Sequence, residues 1–291
     1  MWIAYALVSG IFLAAFFYSS GMVSERFGFG YGKFLMASVP VSLLMMVVLA
    51  SFLRFETEFR TVCLAILPGI AFGIASIPFF YSFKFMNTLT LSILVQLLPV
   101  AVLVESWIFL REEMSMQQLV SFVVILFGAL IAAVESEKKR RRDSFLGLAL
   151  MIIGINLGAV TYILSKYLIR AGLEGIEVYF MNRVGMLITV VILLCIGSER
   201  KRLLSLFSTG RRQLLYYGAF SVSAIGMLLI TLAIAAQPAG MSTSLANLVR
   251  QGTCQIVLFG VFFFTRRDVN ILRKAVGAFI VFVGLVSLTL S

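Results

Sequence analysis

The chain has 291 residues, of which 61% are hydrophobic and only 13% charged. A soluble fold of this length would enclose one or two cores behind a charged surface. Here the charges gather in short islands between apolar stretches of about twenty residues, the length that spans hydrocarbon. The formal net charge of +11 would suggest nucleic acid in a soluble protein. Beside membrane segments it is accounted for by topology and lipid headgroups, so no nucleic-acid partner is expected.

Uniformly apolar runs of this length do not alternate as barrel strands do, so helices are expected to do the spanning. Punctuation by charge, Gly and Pro predicts ten of them, near 2–20, 31–53, 62–83, 88–110, 116–134, 145–169, 175–196, 212–236, 239–264 and 271–290. The first, "WIAYALVSGIFLAAFFYSS", has no basic residues ahead of its apolar run, so it reads as a first mature helix rather than a secretory signal. In the third, Gly69 and Gly73 suit close helix packing. Tyr18, Phe80 and Tyr81 are candidates for aromatic walls.

The fourth helix carries a stripe of Ser92, Gln96 and Pro99, then Glu105 closer to its end. Proline removes a backbone donor and frees the carbonyl one turn earlier, so Pro99 is expected to kink the helix and offer a polar backbone group to a ligand. After the fifth helix comes "ESEKKRRRDS", residues 135–144, a basic linker dividing the chain into five-helix units over 1–134 and 145–291. Asn156, Thr161, Tyr162 and Ser165 supply polar groups in the sixth helix. Arg183 lies shallow in the seventh, within snorkelling reach of a headgroup. Lys84 and Lys166 fall at helix ends, where anchoring is the default expectation.

The ninth helix concentrates the polarity. Asn247, Arg250, Gln251, Cys254 and Gln255 recur at three- and four-residue intervals, a stripe on one face of an otherwise apolar helix. An arginine at the bilayer centre costs from about 2.5 to well over 10 kcal/mol, and is kept where the protein supplies water, a partner or a ligand. Two occupants suit Arg250: an ion pair with Glu105, or an anionic ligand matched by the planar guanidinium fork. For Gln96, Asn247 and Gln251, lining a cavity and bonding helix to helix are both open. Glu105 and Arg183 are the remaining candidates for ion coupling or pairing.

The two units resemble each other. "SFVVILFG" (121–128) aligns with "GAFIVFVG" (277–284), and the same register sets Arg111 and Glu112 opposite Arg267 and Asp268. It also sets "MNTLTLSILVQLLP" against "STSLANLVRQGTCQ". Gly10, Ala15 and Tyr18 recur as Gly154, Ala159 and Tyr162. An odd number of helices per repeat inverts the second, and inverted repeats place substrate near the midplane between the halves of secondary transporters.

"LPVAVLVESWIFLREEMSMQQLVSFVVILFGALIAA", with Pro99, Glu112 and Gly128, resembles the EamA-type repeat of the drug/metabolite transporter superfamily. "YFMNRVGMLI" resembles the arginine-bearing second helix of such a repeat, with Arg183 at the matching place. Gln255 stands where the first half has Pro99, and Val39 or its neighbour where the second has Arg183. The resemblance implies a ten-helix carrier with a central cavity in a bacterial or archaeal cytoplasmic membrane, often an exporter of small metabolites. It implies termini inside the cell, whereas the basic residues after odd-numbered helices, among them Lys138, Arg140, Arg200 and Arg202, predict termini outside.

The expectation is therefore an all-α polytopic membrane protein of ten helices in two inverted five-helix repeats. Its function is secondary transport of a small amphipathic metabolite with an anionic group, such as an amino acid or organic acid, by alternating access. Site residues are Arg250, Asn247, Gln251, Gln96, Ser92, Pro99, Asn156 and Tyr162. Efflux of cationic compounds through Glu105 and a lipid flippase are the alternatives. There is no histidine, no clustered intramembrane acid and no nucleotide-binding loop, so neither an enzyme nor a metal or cofactor is expected. Cys63, Cys195 and Cys254 lack metal spacing and read as small core residues.

Overall fold

Apolar segments in hydrocarbon can satisfy their backbone polar groups internally only by forming helices or closed barrels. The computed structural model describes the chain except for residues 28–30, 55–57, 87, 111–114, 134–137, 197–209, 239–242, 266–270 and 290–291, and every regular element among the described residues is helical. In chain order these are α1 (Trp2–Phe27), α2 (Tyr31–Leu49), α3 (Phe59–Leu64), α4 (Leu67–Ser82), α5 (Thr88–Leu94), α6 (Leu98–Leu110) and α7 (Met116–Ala133), then α8 (Lys138–Arg170), α9 (Gly175–Cys195), α10 (Gly210–Ala235), α11 (Thr243–Thr265) and α12 (Ile271–Thr289). Arg111, Glu112, Arg200, Arg202, Arg267, Asp268 and the start of the basic linker lie outside the described residues.

Among the described residues, seven segments are long and apolar enough to cross a membrane: Trp2–Ser20, Leu35–Phe52, Phe59–Ser82, Thr90–Phe109, Phe145–Arg170, Gly175–Cys195 and Tyr216–Ala235. Leu119–Ala129 and Ala275–Gly284 are apolar but shorter. The distribution of side chains also belongs to a membrane. Large apolar groups such as Val47, Phe127 and Phe279 face outward at 74%, 60% and 67% exposure, while Ser9, Ser38, Ser42, Gln96 and Asn247 are buried. A soluble protein rarely exposes apolar surface so extensively.

Four boundaries differ from the sequence expectation. The first helix, expected to end near residue 20, continues to Phe27. The third predicted segment is divided into α3 and α4, with Pro68 in the first turn of α4, where its missing N–H costs nothing. The fourth is divided by a 3₁₀ turn over Val95–Leu97, immediately before Pro99. Residues 138–144, expected as linker, are helical and open α8.

Glycine sets the closest helix approaches. A Cβ on Gly69 would meet the backbone of Asn182, and one on Gly185 would meet Ile66 and Ile70, so α4 and α9 cross nearly backbone to backbone. At the α7–α12 crossing, a Cβ on Gly128 would meet the Gly277 carbonyl and Val281. One on Gly284 would meet the Ser121 carbonyl and Ile125. Small residues permit such approach, and dispersion then holds the pair without help from water. The other principal packings are α1 on α10 and α11, α4 and α6 on α8, and α2 on α9 and α10.

Candidate functional site

The polar stripe of α11 is buried throughout: Asn247, Arg250, Gln251, Cys254 and Gln255 all face protein. Arg250 is held at the α1 interface by a close approach, since a Cβ on Gly10 would meet its carbonyl and Thr253. The guanidinium Nη1 donates to the Tyr162 hydroxyl on α8 at 2.7 Å. Nη2 lies 3.7 Å from the Met227 sulfur on α10, and that sulfur also receives the Tyr162 hydroxyl at 3.7 Å. Nε has no partner. Nη1 is the nitrogen cis to Cδ, so Nε and Nη2 share the opposite edge, which carries only a weak thioether contact. That edge has the geometry of a bidentate carboxylate receptor.

Gln251 adjoins it. Both polar atoms of its side-chain amide are buried and unpartnered, at 1% residue exposure. Its backbone carbonyl accepts Gln96 Nε2 at 2.9 Å, and the same Nε2 reaches Gln255 Oε1 at 3.1 Å. Gln96 thereby ties the 3₁₀ turn to α11. The carbonyl freed by Pro99 belongs to Val95, and the Leu98 N–H occupies it in the 3₁₀ turn. The group expected to be open to a ligand is therefore used locally.

Arg250, Gln251 and Tyr162 stand on the wall of a cavity of about 100 Å³. It lies where α1, α4, α8, α10, α11 and the start of α6 converge, with Ser76 and Ser223 as further polar groups. The apolar part of the wall combines five phenylalanines, Phe16 and Phe17 from α1 and Phe72, Phe79 and Phe80 from α4, with aliphatic residues such as Leu13, Val95, Leu98 and Ile155. These rings pack edge to face: Phe79 and Phe80 at 5.1 Å and 87°, Phe16 and Phe80 at 6.2 Å and 71°. Phe80 is thus a wall residue, as expected, while Tyr18 and Tyr81 lie off the cavity. The aromatic wall had a sequence signal: "FFYS" occurs twice, at 16–19 and 79–82, and both copies supply wall residues. Met227, Ser223 and Ser76 had none.

Other candidates lie elsewhere. Ser92, Asn247 and Pro99 are buried in helix packing away from the wall. Asn156 is exposed on the outer face of α8, its side chain turned back to the Ile152 carbonyl at 2.8 Å. It falls one position off the face carrying Gly154, Ile155, Gly158 and Tyr162. Glu105 does not reach Arg250. It sits in a separate depression with Phe109, Val160, Ile163, Leu164 and Tyr167, and its Oε2 has no hydrogen-bond partner.

Arg183 does not snorkel. It is 1% exposed and stacked 4.5 Å from the Tyr179 ring, on the face of α9 whose Tyr179 hydroxyl donates to the Ala224 carbonyl of α10. Lys166 is buried rather than an exposed anchor, while Lys84 is exposed and lies over the Tyr81 ring at 5.7 Å. Of the cysteines only Cys254 is in the core. Cys63 and Cys195, near the ends of α3 and α9, are exposed.

Among known proteins, no family model and no curated protein matches this sequence. In fold, 28 chains of solved structures resemble it. One protein crystal structure superposes with a TM-score of 0.65 over 99% of this chain and 98% of its own, at 11% sequence identity. At that identity the likeness is one of fold: the whole helical arrangement, from α1 to α12, is an architecture that another protein also adopts.

Proposed function

We propose that the chain is a secondary carrier for a small organic anion, built of ten spans in two inverted five-helix halves, 1–134 and 145–291, of the EamA kind. The helix packing supports the repeat. Exchanging α1 with α8, α2 with α9, α4 with α10, α6 with α11 and α7 with α12 turns the α1–α10 contact into α8–α4, α1–α11 into α8–α6, and α2–α10 into α9–α4. The α7–α12 and α2–α9 contacts map onto themselves. At the α7–α12 crossing the correspondence reaches single residues, because Gly277 and Val281, which Gly128 faces, are the repeat partners of Ser121 and Ile125, which Gly284 faces.

The observation that carries the function is Arg250, a buried guanidinium on the cavity wall, with Nε unpartnered, only a thioether at Nη2, and a hydroxyl, not a carboxylate, at Nη1. A buried charge without a counter-charge is costly, and an anionic cargo supplies that counter-charge when it binds. Cationic efflux is less well supported, because no carboxylate stands among the described wall residues and Glu105 belongs to a separate depression. A diacyl lipid is poorly matched to about 100 Å³ of cavity.

The test is thermal unfolding of the purified full chain against small monocarboxylates, phosphate and amines, repeated with Arg250→Gln. A ligand that binds only the folded state raises apparent stability with its concentration. Stabilisation by an anion that is lost in Arg250→Gln is expected, with uptake of the same anion into proteoliposomes. Stabilisation by amines alone, or by anions equally in both proteins, would overturn the reading.

A further inference from the structure

Within the proposed anion-carrier reading, on which this rests, we infer that the cargo is a monocarboxylate of two or three carbons, and that Gly158 on α8 sets the upper limit of its size.

The size follows from the space. An apolar cavity of roughly 150 Å³ accommodates benzene, with its six non-hydrogen atoms. By that proportion, the cavity of about 100 Å³ beside Arg250 takes about four or five. Acetate and propionate have that many. Arg250 is the one cation among the described wall residues, so a single negative charge is matched. Most of the remaining wall is apolar, from Leu13 and Leu98 to Phe16 and Phe80. An inorganic anion such as nitrate would fill the volume but turn oxygens toward hydrocarbon. A short carboxylate gathers its oxygens at one end and leaves an apolar tail for the rest of the wall.

Gly158 has no packing reason to be glycine. At Gly10, Gly69, Gly128 and Gly185 an added Cβ would strike the backbone of a neighbouring helix. Gly154, the other glycine on the cavity wall, is also tight, with Phe79 at 3.1 Å and the Ala75 carbonyl at 3.2 Å from the added carbon. At Gly158 that carbon would meet nothing among the described residues nearer than Leu98 Cδ1 at 3.9 Å. Glycine is among the poorest residues for a helix interior, and no crossing explains it here. What the missing side chain leaves is cavity. Gly158 precedes Tyr162 by one turn of α8, and the Tyr162 hydroxyl accepts from Arg250 at 2.7 Å, so the vacated space belongs to the volume that would hold the anion. A single methyl group placed there uses up about one of the four or five atom places.

The experiment measures concentration-dependent thermal stabilisation of the purified full chain by acetate, propionate, butyrate, hexanoate and benzoate, at constant ionic strength with chloride and nitrate as references. Acetate and propionate are expected to bind most tightly, with hexanoate and benzoate about tenfold or more weaker. Gly158→Ala should lower the affinity for propionate relative to acetate by about tenfold. Its unfolding temperature without ligand should be equal or higher, because alanine is the better helix former, so lost binding would not be lost fold. Leu98→Ala shortens the side chain nearest that space and should move the optimum to butyrate or longer, a gain that misfolding cannot produce. Hexanoate or benzoate binding as tightly as propionate to the unaltered chain overturns the inference and leaves the anion carrier standing. So does an unchanged ratio of propionate to acetate in Gly158→Ala, or nitrate binding more tightly than either acid. Stabilisation by no anion, or by anions equally in Arg250→Gln, overturns both.

Discussion

Arg250 and Arg183 are both sealed inside apolar helices, at 4% and 1% exposure, yet their surroundings differ. Arg250 has a hydroxyl at 2.7 Å, an unpartnered Nε and a cavity beside it. Arg183 lies on the face of Tyr179 at 4.5 Å, with the Met186 sulfur 3.7 Å from Nη1, and it lines neither the central cavity nor the Glu105 depression. The Tyr179 hydroxyl is itself committed to the Ala224 carbonyl at 2.8 Å. Depth of burial therefore does not distinguish the arginine proposed to bind cargo from Arg183. Adjoining space does.

Substitutions can break that distinction, and the largest effect is expected at Arg250. Arg250→Gln should weaken anion binding by about 2–5 kcal/mol, roughly thirtyfold or more, as measured by ligand-induced thermal stabilisation. Tyr162→Phe keeps the ring and removes the hydroxyl that orients the guanidinium. A loss of about 1–2 kcal/mol in anion affinity is expected, measured in the same way. Unchanged affinity would mean that the carboxylate alone orients Arg250.

Arg183→Met should leave anion affinity as it was. Replacing an uncompensated buried charge by an apolar side chain of similar length should leave unfolding stability equal or higher by about 1–3 kcal/mol. A loss of anion response there would put Arg183 in the binding site and dissolve the contrast. Smallest of these is Asn156→Ala, which removes only a local contact on an exposed face. It should alter stability by less than about 0.5 kcal/mol in thermal unfolding and leave binding intact.

The helices were legible because hydropathy and helix-breaking residues act locally, and the ninth-helix stripe was legible because every third or fourth residue shares a face. What was not legible depends on neighbours. Position along a helix suggested a shallow Arg183, but it lies on the face of α9 that carries Tyr179 and packs on α10, and is buried there. Asn156 looked equivalent to Tyr162 as a polar group in one helix. The rotation of α8 against α4 and α6 put one on the outer face and the other on the cavity wall. Pro99 announced a break in its helix, but whether the freed carbonyl would be open depended on the 3₁₀ turn that formed around it. The stripe itself could not say which glutamine binds another helix and which stands free. Gln96 and Gln255 meet each other, while the Gln251 side chain does not share in that contact.

The glycine crossing of α7 and α12 bears on how the molecule can move. Backbones that meet without intervening side chains, with Ser121 and Ser287 hydroxyls 2.9 Å apart across them, leave no slack for one helix to glide along the other. In the proposed carrier, displacement of one half relative to its counterpart would then be a pivot about this fixed point rather than a translation. Cross-linking Ser121→Cys to Ser287→Cys, in a chain with Cys63, Cys195 and Cys254 replaced, should leave proteoliposome uptake intact, and arrest by that bond would show that the fulcrum lies elsewhere.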